Sequence, residues 1–189
     1  MKTLTLLSVA LCLFVATAFA QQDSAAMQKA CMEYATPGPE HQLLGKGAGN
    51  WSTDLSFWPS PGSPAQHAAG NCTTKMILGD RYQESRFSGD MMGMPFEGIG
   101  TTAFDNARKL YISTWIDNMG TGLSVMEGKW DPAAKALILH GKMVDPATHQ
   151  EMKVREVIRW QDDNHHTMEM YRMVNGKEIK DMEIKFTRK

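Results

Sequence analysis

Alternating apolar and polar residues dominate the chain from Trp51 onward. Two segments show the pattern most clearly, with the apolar faces Met152, Val154, Ile158 and Trp160 in one and Met182, Ile184 and Phe186 in the other. Charged side chains fill most of the intervening positions. Because successive side chains of a strand point to opposite faces, this two-residue period predicts antiparallel strands with one buried and one solvated face.

Ten segments of this kind follow one another, separated by turn-forming residues. They begin near Trp51, Cys72, Arg81, Phe96, Leu110, Gly122, Ala136, Met152, His165 and Glu178. Asn175-Gly176 is the strongest turn signal, because a type I′ hairpin turn needs positive φ at both central residues. An open sheet of ten such strands would leave two unpaired edges. We therefore predict an all-β protein with an antiparallel up-and-down β-barrel of about ten strands, and the alternative is a two-sheet sandwich.

Short helices are predicted before the barrel. Residues 21–34 favour a helix that Ser24 can cap and that the Pro-Gly-Pro sequence at 37–39 ends. A second helical turn is predicted over residues 40–44, followed by a glycine-rich approach to the first strand. We assign residues 21–48 to an N-terminal helical segment and linker, and residues 49–189 to the barrel domain.

The first 20 residues have the pattern of a secretory signal peptide. Lys2 precedes an apolar run over residues 4–15, and Ala18-Phe19-Ala20 is a typical cleavage sequence. The run is too short for a stable membrane anchor. We expect export to the periplasm or beyond after cleavage near Ala20, with no integral membrane association.

Charge and cysteine content narrow the range of partners. The formal net charge is −1, and it becomes −2 once Lys2 is removed, which gives no electrostatic case for a nucleic-acid partner. Cys31 and Cys72 remain after cleavage. In an oxidising compartment they either form one disulfide, tying the N-terminal segment to the barrel, or stay unpaired, and the sequence leaves both alternatives open. It does not indicate an oligomeric state.

The chain lacks the short motifs of common catalytic sites. It has no Gly-x-Ser-x-Gly, His-Glu-x-x-His or Cys-x-x-Cys sequence, so no catalytic residue, metal ligand or cofactor is assigned. Gly98 and Gly100 lie within a predicted strand, where they indicate a close backbone approach or a bulge and not a nucleotide site. His165 and His166 are adjacent and point to opposite faces, and we expect them to mark the exposed start of a strand. His140 is interpreted as a barrel residue, with metal or haem ligation as the lesser alternative.

Methionine is unusually abundant, with 15 residues. Met91, Met92 and Met94 cluster just before Phe96. Three explanations remain open: simple packing, an adaptable apolar pocket or contact surface, and Cu(I) binding through thioether sulfur.

Several stretches resemble known families. Gly49-Asn50-Trp51 resembles the Gly-x-Trp opening of lipocalin-type barrels, in which the tryptophan plugs the closed end. Longer stretches resemble the bacterial "domain of unknown function 1579" family, and they lie at residues 76–81, 89–101, 114–122, 152–156 and 182–184. This resemblance implies a lipocalin-like barrel in an exported protein, but it brings no established activity or functional residue.

Glu156 is the carboxylate that the apolar face of its strand would carry into the barrel. A buried charge needs a partner, and Arg86 is our candidate. The pair is either structural or orients a ligand. Our candidate residues for the lumen or its mouth are Trp51, Met91, Met92, Met94, Phe96, Trp115, Glu156 and Tyr171.

Three classes of function are compatible with these features. The first is a binding module that holds a small apolar or amphipathic ligand in the barrel. The second is a structural or interaction protein of the cell envelope with a solid core. The third, an enzyme or a metal- or haem-binding protein, has the least support.

Overall fold

A computed structural model describes residues 24–189, and the predicted signal peptide, residues 1–20, lies outside them. The chain divides into two units after Thr36. In the first unit, residues 24–35 are helical (α1), which agrees with the predicted first helix. The second unit contains a short helix, α2 (Pro39–Gly45), and all the strands. Within the described residues, no helix has both the length and the apolar character needed to cross a membrane.

Ten antiparallel strands form one closed barrel, which confirms the predicted fold. The strands are β1 (Gly49–Phe57), β2 (Gln66–Ile77), β3 (Tyr82–Met91), β4 (Met94–Asp105), β5 (Leu110–Asp117), β6 (Ser124–Asp131), β7 (Ala136–Val144), β8 (Glu151–Trp160), β9 (His165–Val174) and β10 (Lys177–Arg188). Each strand pairs with the next along the chain, and β1 pairs with β10. Closure therefore leaves no edge strand in the described sheet, and the sandwich alternative is excluded.

Strand β2 begins earlier than the sequence pattern indicates. It starts at Gln66, which lies opposite Phe57 of β1, and not near Cys72. The prolines and glycines between Pro59 and Gly70 favour a loop, but pairing with the second half of β1 supplies hydrogen bonds that outweigh this local preference. The other nine strands begin within about two residues of their predicted positions.

Three hairpins share one turn chemistry. In each, an aspartate carboxylate accepts hydrogen bonds from the backbone N–H groups two and three residues later, and these aspartates are Asp105, Asp131 and Asp145. The residue four positions after each aspartate adopts positive φ, at Lys109, Lys135 and His149. The aspartate side chain thus replaces main-chain partners in the turn. The three hairpins therefore share their turn geometry as well as the aspartate.

The two ends of the barrel differ. Helix α2 lies at one end, where Leu44 packs with Phe104 and Tyr111 in a buried cluster. The ring of His41 meets Phe104 edge-on at 5.8 Å. We call this end, which also contains the first residue of β1 and the last of β10, the closed end. The opposite end, which we call the mouth, is formed by the loops 58–65, 92–93, 118–123, 145–150 and 175–176.

Arg188 fastens the last strand to the segment before the first. It lies opposite Trp51 in the β1–β10 register, and its guanidinium group is 4.1 Å from the centre of the Trp51 ring system. The guanidinium donates to the carbonyl oxygens of Ala48 (2.8 Å), Lys46 (3.0 Å) and Asp163 (2.8 Å). Trp51, only 1 % exposed, donates from Nε1 to the carbonyl of Gly47. These contacts hold the closed end together.

We predict that Arg188→Ala lowers the free energy of unfolding by about 2–3 kcal/mol, because three hydrogen bonds and the cover over Trp51 are lost together. Urea denaturation followed by tryptophan fluorescence measures this change. The control is Lys185→Ala on the same strand, where the exposed lysine contacts only Glu183 at 3.5 Å, and its effect should stay within about 0.5 kcal/mol. Equal losses in the two variants would contradict the role assigned to Arg188.

Candidate functional site

The inward-facing side chains line the lumen of the barrel, and their degree of burial varies between the closed end and the mouth. Near the closed end many of them are tightly packed, as at Trp51, Cys72, Leu137 and Phe186. Toward the mouth, Leu55, Met126 and Val154 are also buried. Other inward-facing side chains there are only half-buried, and these include Phe57, Phe87, Met91, Phe96, Trp115, Met152 and Met182. These half-buried side chains keep contact with solvent.

Aromatic rings form one wall of the mouth half of the lumen. Trp115 on β5 meets Phe87 edge-on at 5.1 Å and stacks with Phe96 at 6.4 Å. A Cβ atom at Gly98 would overlap the Trp115 indole, so glycine at this position lets the ring lie against the sheet, in agreement with the close approach predicted there. The indole Nε1 donates to a carboxylate oxygen of Asp117 at 2.7 Å. The mouth half of the wall formed by β3, β4 and β5 therefore presents aromatic rings together with the Asp117 carboxylate, which accepts the indole N–H.

Glu156 lies on the opposite wall, midway along β8. Its neighbours across the strands are Leu139 and Met170, both apolar. The residue is 8 % exposed, and among the described residues no hydrogen bond or ion pair is found for its carboxylate. Burial raises the pKa of Glu156 to about 7, because the charged form loses hydration without gaining a partner.

Arg86 is not the partner of Glu156. Phe87 takes the inward position on β3, so Arg86 points outward and pairs with Glu84, with 2.9 Å between Nε and Oε1. It lines a cleft of about 480 Å³ across β3, β4 and β5, together with outward-facing side chains such as Glu97 and Ile116. The predicted pair fails because it would require two side chains on opposite sides of the sheet to meet.

The same wall carries the buried polar atoms that lack hydrogen-bond partners. In addition to the unpartnered Glu156 carboxylate, four side-chain atoms within residues 24–189 have neither solvent contact nor a hydrogen-bond partner: Trp160 Nε1, His166 Nδ1, Arg172 Nε and Asp181 Oδ1. They lie on β8, β9 and β10, which are adjacent strands. Arg172 Nε is 3.3 Å from Asp181 Oδ2, close enough for an ion pair but not aligned as a hydrogen bond. Buried polar groups usually have partners, so this wall is suited to a polar guest.

His166 is a lumen residue that the sequence interpretation missed. Its ring stacks on Phe186 at 4.1 Å and meets Trp51 at 4.4 Å. Burial, together with the nearby Arg188 charge, lowers the pKa of His166 to about 4, so the ring is neutral near pH 7. Only His165 is exposed as expected, bonded to Asp162. The alternation with Met168 and Met170 was the available signal that His166 faces inward.

The methionine cluster is divided between the lumen and its rim. Met91 points inward, whereas Met92 adopts positive φ in the hairpin turn and is 65 % exposed, and Met94 is 45 % exposed. Other exposed apolar side chains surround the mouth in the same way. We call this set the apolar rim: Met92, Met94, Met119, Leu123, Met143, Val144 and Met173.

Tyr171 and His140 lie on the outer surface. Because Met170 and Arg172 point inward, Tyr171 points outward, where its hydroxyl donates to Glu169 and the Arg155 guanidinium lies 4.1 Å from its ring centre. Tyr171 therefore does not line the lumen or mouth as predicted. His140 is exposed on β7 and is not a barrel-interior residue either.

The two described cysteines are unpaired. Cys31 is exposed, and Cys72 is buried in the closed half of the barrel, where its Sγ atom is 3.4 Å from Thr74 Oγ1. Burial raises the pKa of the Cys72 thiol, which keeps it protonated and unreactive. A disulfide between them would join the two units of the chain, and it stays a prediction. Among residues 24–189, no group of three or more His, Cys, Asp or Glu side chains is placed to hold a metal ion.

These features define a closed ten-stranded barrel of lipocalin-like type. The chain belongs to the family described as "Protein of unknown function (DUF1579)", whose sequence model matches residues 36–188. This confirms the family resemblance drawn from the sequence. The comparison with curated proteins gives no match.

Two solved structures share the fold. Rv2717c from M. tuberculosis is similar with a TM-score of 0.60 and 12% identity, over 82% of this chain and 99% of that one. The S-type phycobiliprotein lyase CPES from Guillardia theta is similar with a TM-score of 0.54 and 8% identity, over 84% and 96% of the two chains. At these identities the likeness establishes the fold alone.

We predict that Glu156→Gln stabilises the protein at alkaline but not at acidic pH. The folded pKa of about 7 lies above the ordinary 4.5, so the contribution of Glu156 to stability is fully present below pH 4.5 and is lost as the pH rises through 7. The full loss is about 3 kcal/mol. Urea denaturation at about pH 5 and pH 8 should therefore show the variant gaining about 2–3 kcal/mol relative to wild type between the two conditions.

The control for this experiment is Glu97→Gln, which removes an exposed carboxylate on the outer face. Its difference from wild type should not change between the two pH values. A constant difference for Glu156→Gln as well would contradict the burial of an unpaired carboxyl group.

Proposed function

We propose that this protein is a binding module that holds a small apolar or amphipathic ligand in the lumen of its barrel. The observation that carries the proposal is the half-buried state of inward-facing side chains in the mouth half, such as Phe87, Phe96 and Trp115. Open space lined by aromatic and aliphatic groups, with a few polar atoms directed into it, is the usual character of a small-molecule site.

The distribution of polarity supports an amphipathic guest over a purely apolar one. The wall formed by β3, β4 and β5 presents aromatic rings. The wall formed by β8, β9 and β10 presents Glu156 and the unpartnered atoms of Trp160 and His166. A ligand with one apolar and one polar edge would satisfy both walls, since each buried polar atom that gains a partner recovers part of its desolvation cost.

The apolar rim supports access through the mouth. Methionine side chains are unbranched and polarizable, so a rim of this composition adapts to guests of different shape. Copper binding has less support, because Met91 points into the lumen while Met92 points away from it. The likeness to a phycobiliprotein lyase is consistent with a barrel of this fold doing more than forming a solid core.

The competing function, an envelope protein with a solid barrel, would need a lumen packed throughout its length. The half-buried aromatic side chains Phe87, Phe96 and Trp115 are not packed in this way. We further propose that the protein acts after export, in the periplasm or outside the cell, because residues 1–20 have the composition of a cleaved signal peptide.

We predict that the purified protein binds the neutral fluorophore N-phenyl-1-naphthylamine saturably, at one site per chain, with a rise in emission as the dye leaves water. Phe96→Asp, which places a carboxylate on the lumen wall near the mouth, should weaken binding by about tenfold or more, since the dye would then desolvate a charge. Fluorescence titration measures the affinity, and native mass spectrometry measures the stoichiometry.

The matched control is Ile116→Asp, which adds the same charge on the outer face at a side chain that is 47 % exposed. Its affinity should equal that of wild type, and circular dichroism should show that both variants are folded. Equal weakening in both variants, or no saturable binding by the wild type, would contradict a ligand site in the lumen.

A further inference from the structure

We propose that the ligand carries a protonated amine, and that Glu156 is its counter-ion inside the lumen. This inference rests on the proposed function and names the chemical class of the guest. It is carried by a carboxylate that is more than nine-tenths buried, points into the barrel and has no partner among the described residues.

The position of Glu156 suits a ligand headgroup. It lies midway along β8, between Met152 at the mouth and Trp160 at the closed end. Its cross-strand neighbours Leu139 and Met170 are apolar, so the carboxylate is the polar feature of an otherwise apolar stretch of wall. An ammonium group placed there would replace the hydration that the carboxylate loses on burial, by a charge-assisted hydrogen bond.

The arginines that the barrel directs inward are already engaged. Arg172 donates from Nη2 to the carbonyl of Pro59 at 3.2 Å and pairs with Asp181. Arg188 is held at the closed end by three carbonyl oxygens and the Trp51 ring. Neither arginine is available to Glu156, and Lys177, which lies on the same face, is at the mouth beside the 175–176 turn. A counter-ion for the ionised carboxylate would therefore be supplied by a bound guest.

The balance of charges in the lumen also favours a cationic guest. Three inward-facing carboxylates, Glu156, Asp181 and Asp117, outnumber the two cations on the same face of the open part, Arg172 and Lys177. Low-dielectric surroundings strengthen such an imbalance. The lumen therefore favours a cationic guest over an anionic one such as a fatty acid, whose carboxylate would meet a like charge at Glu156.

Glu156 is also suited to make binding depend on pH. The inward titratable or charged groups on the surrounding elements are His41 of α2, Cys72 of β2, Tyr111 and Asp117 of β5, His166 and Arg172 of β9, and Lys177, Asp181 and Arg188 of β10. His166, with a pKa of about 4, and Tyr111, with a pKa of about 12, do not change charge between pH 5.5 and 8.5. Glu156, with a pKa of about 7, changes charge within this window. An amine should therefore bind more tightly as the pH rises through 7 and the carboxyl group ionises.

The test compares three guests with the same chain length: decylamine, 1-decanol and decanoate, each displacing N-phenyl-1-naphthylamine at about pH 7.5. We expect decylamine to bind about tenfold or more tightly than the other two, the ratio that one buried charge-assisted contact supplies. Glu156→Gln should remove this preference while changing decanol affinity by no more than about twofold. Glu97→Gln, on the outer face, should keep the preference.

A pH series gives a second readout that a merely structural glutamate would not alter. Decylamine affinity should rise by about an order of magnitude between pH 5.5 and 8.5, levelling off only above about pH 8, whereas decanol affinity should stay constant. The rise should be absent in Glu156→Gln. If that variant does not fold, carboxyl ¹³C NMR of the wild type replaces it, and saturating decylamine should lower the Glu156 pKa by about one unit or more, while decanol should not.

The outcomes separate this inference from the proposed function. Equal binding of all three guests, or tighter binding of decanoate, overturns the amine assignment and leaves the binding module in place. If Glu156→Gln still binds decylamine more tightly than the other two guests, another group recognises the amine and the role of Glu156 is overturned. Failure of the wild type to bind the fluorophore at all removes the lumen site, and this inference with it.

Discussion

Closure of the sheet is the constraint on which the rest of the structure depends. Pairing of β10 with β1 satisfies the backbone groups that an open sheet of ten strands would leave at two edges. It also directs every second side chain into an enclosed space. Arg188 and Trp51 stand at this junction, where the end of the chain is bound to the segment that precedes the first strand. The interior, and therefore any site within it, exists because these strands meet.

The two ends of this enclosed space differ in their packing. Helix α2 and the Trp51 cluster fill the closed end with apolar side chains. At the mouth, the hairpins leave several inward side chains half-buried and surround them with an apolar rim. Glu156 reduces stability at neutral pH because its charge is buried without a partner. A stability cost of this kind is typical of a functional position, where binding supplies the missing contact.

Parts of the candidate site could be predicted from alternation alone. The Met152 segment identified Glu156 as the carboxylate of an apolar face, because a strand period of two needs no tertiary information. The partner of Glu156 could not be predicted in this way, since Arg86 and Phe87 compete for the inward side of β3 and only the closed register decides between them. The prediction that Tyr171 lines the lumen was wrong for the same reason, because only the register shows that Met170 and Arg172 face inward on β9. His166 was missed because its apolar surroundings come from β1 and β10, which are distant in sequence.

The sequence by itself determined the strands, the turns and the closed-barrel class, because hydrophobic period and turn chemistry are local properties that a short window of residues contains. Only the tertiary structure decided which face of each strand is inward, at which end helix α2 packs, that β2 extends back to Gln66, and that Glu156 lacks a partner. These depend on long-range pairing, in which a shift of one residue would move every side chain of a strand to the opposite face.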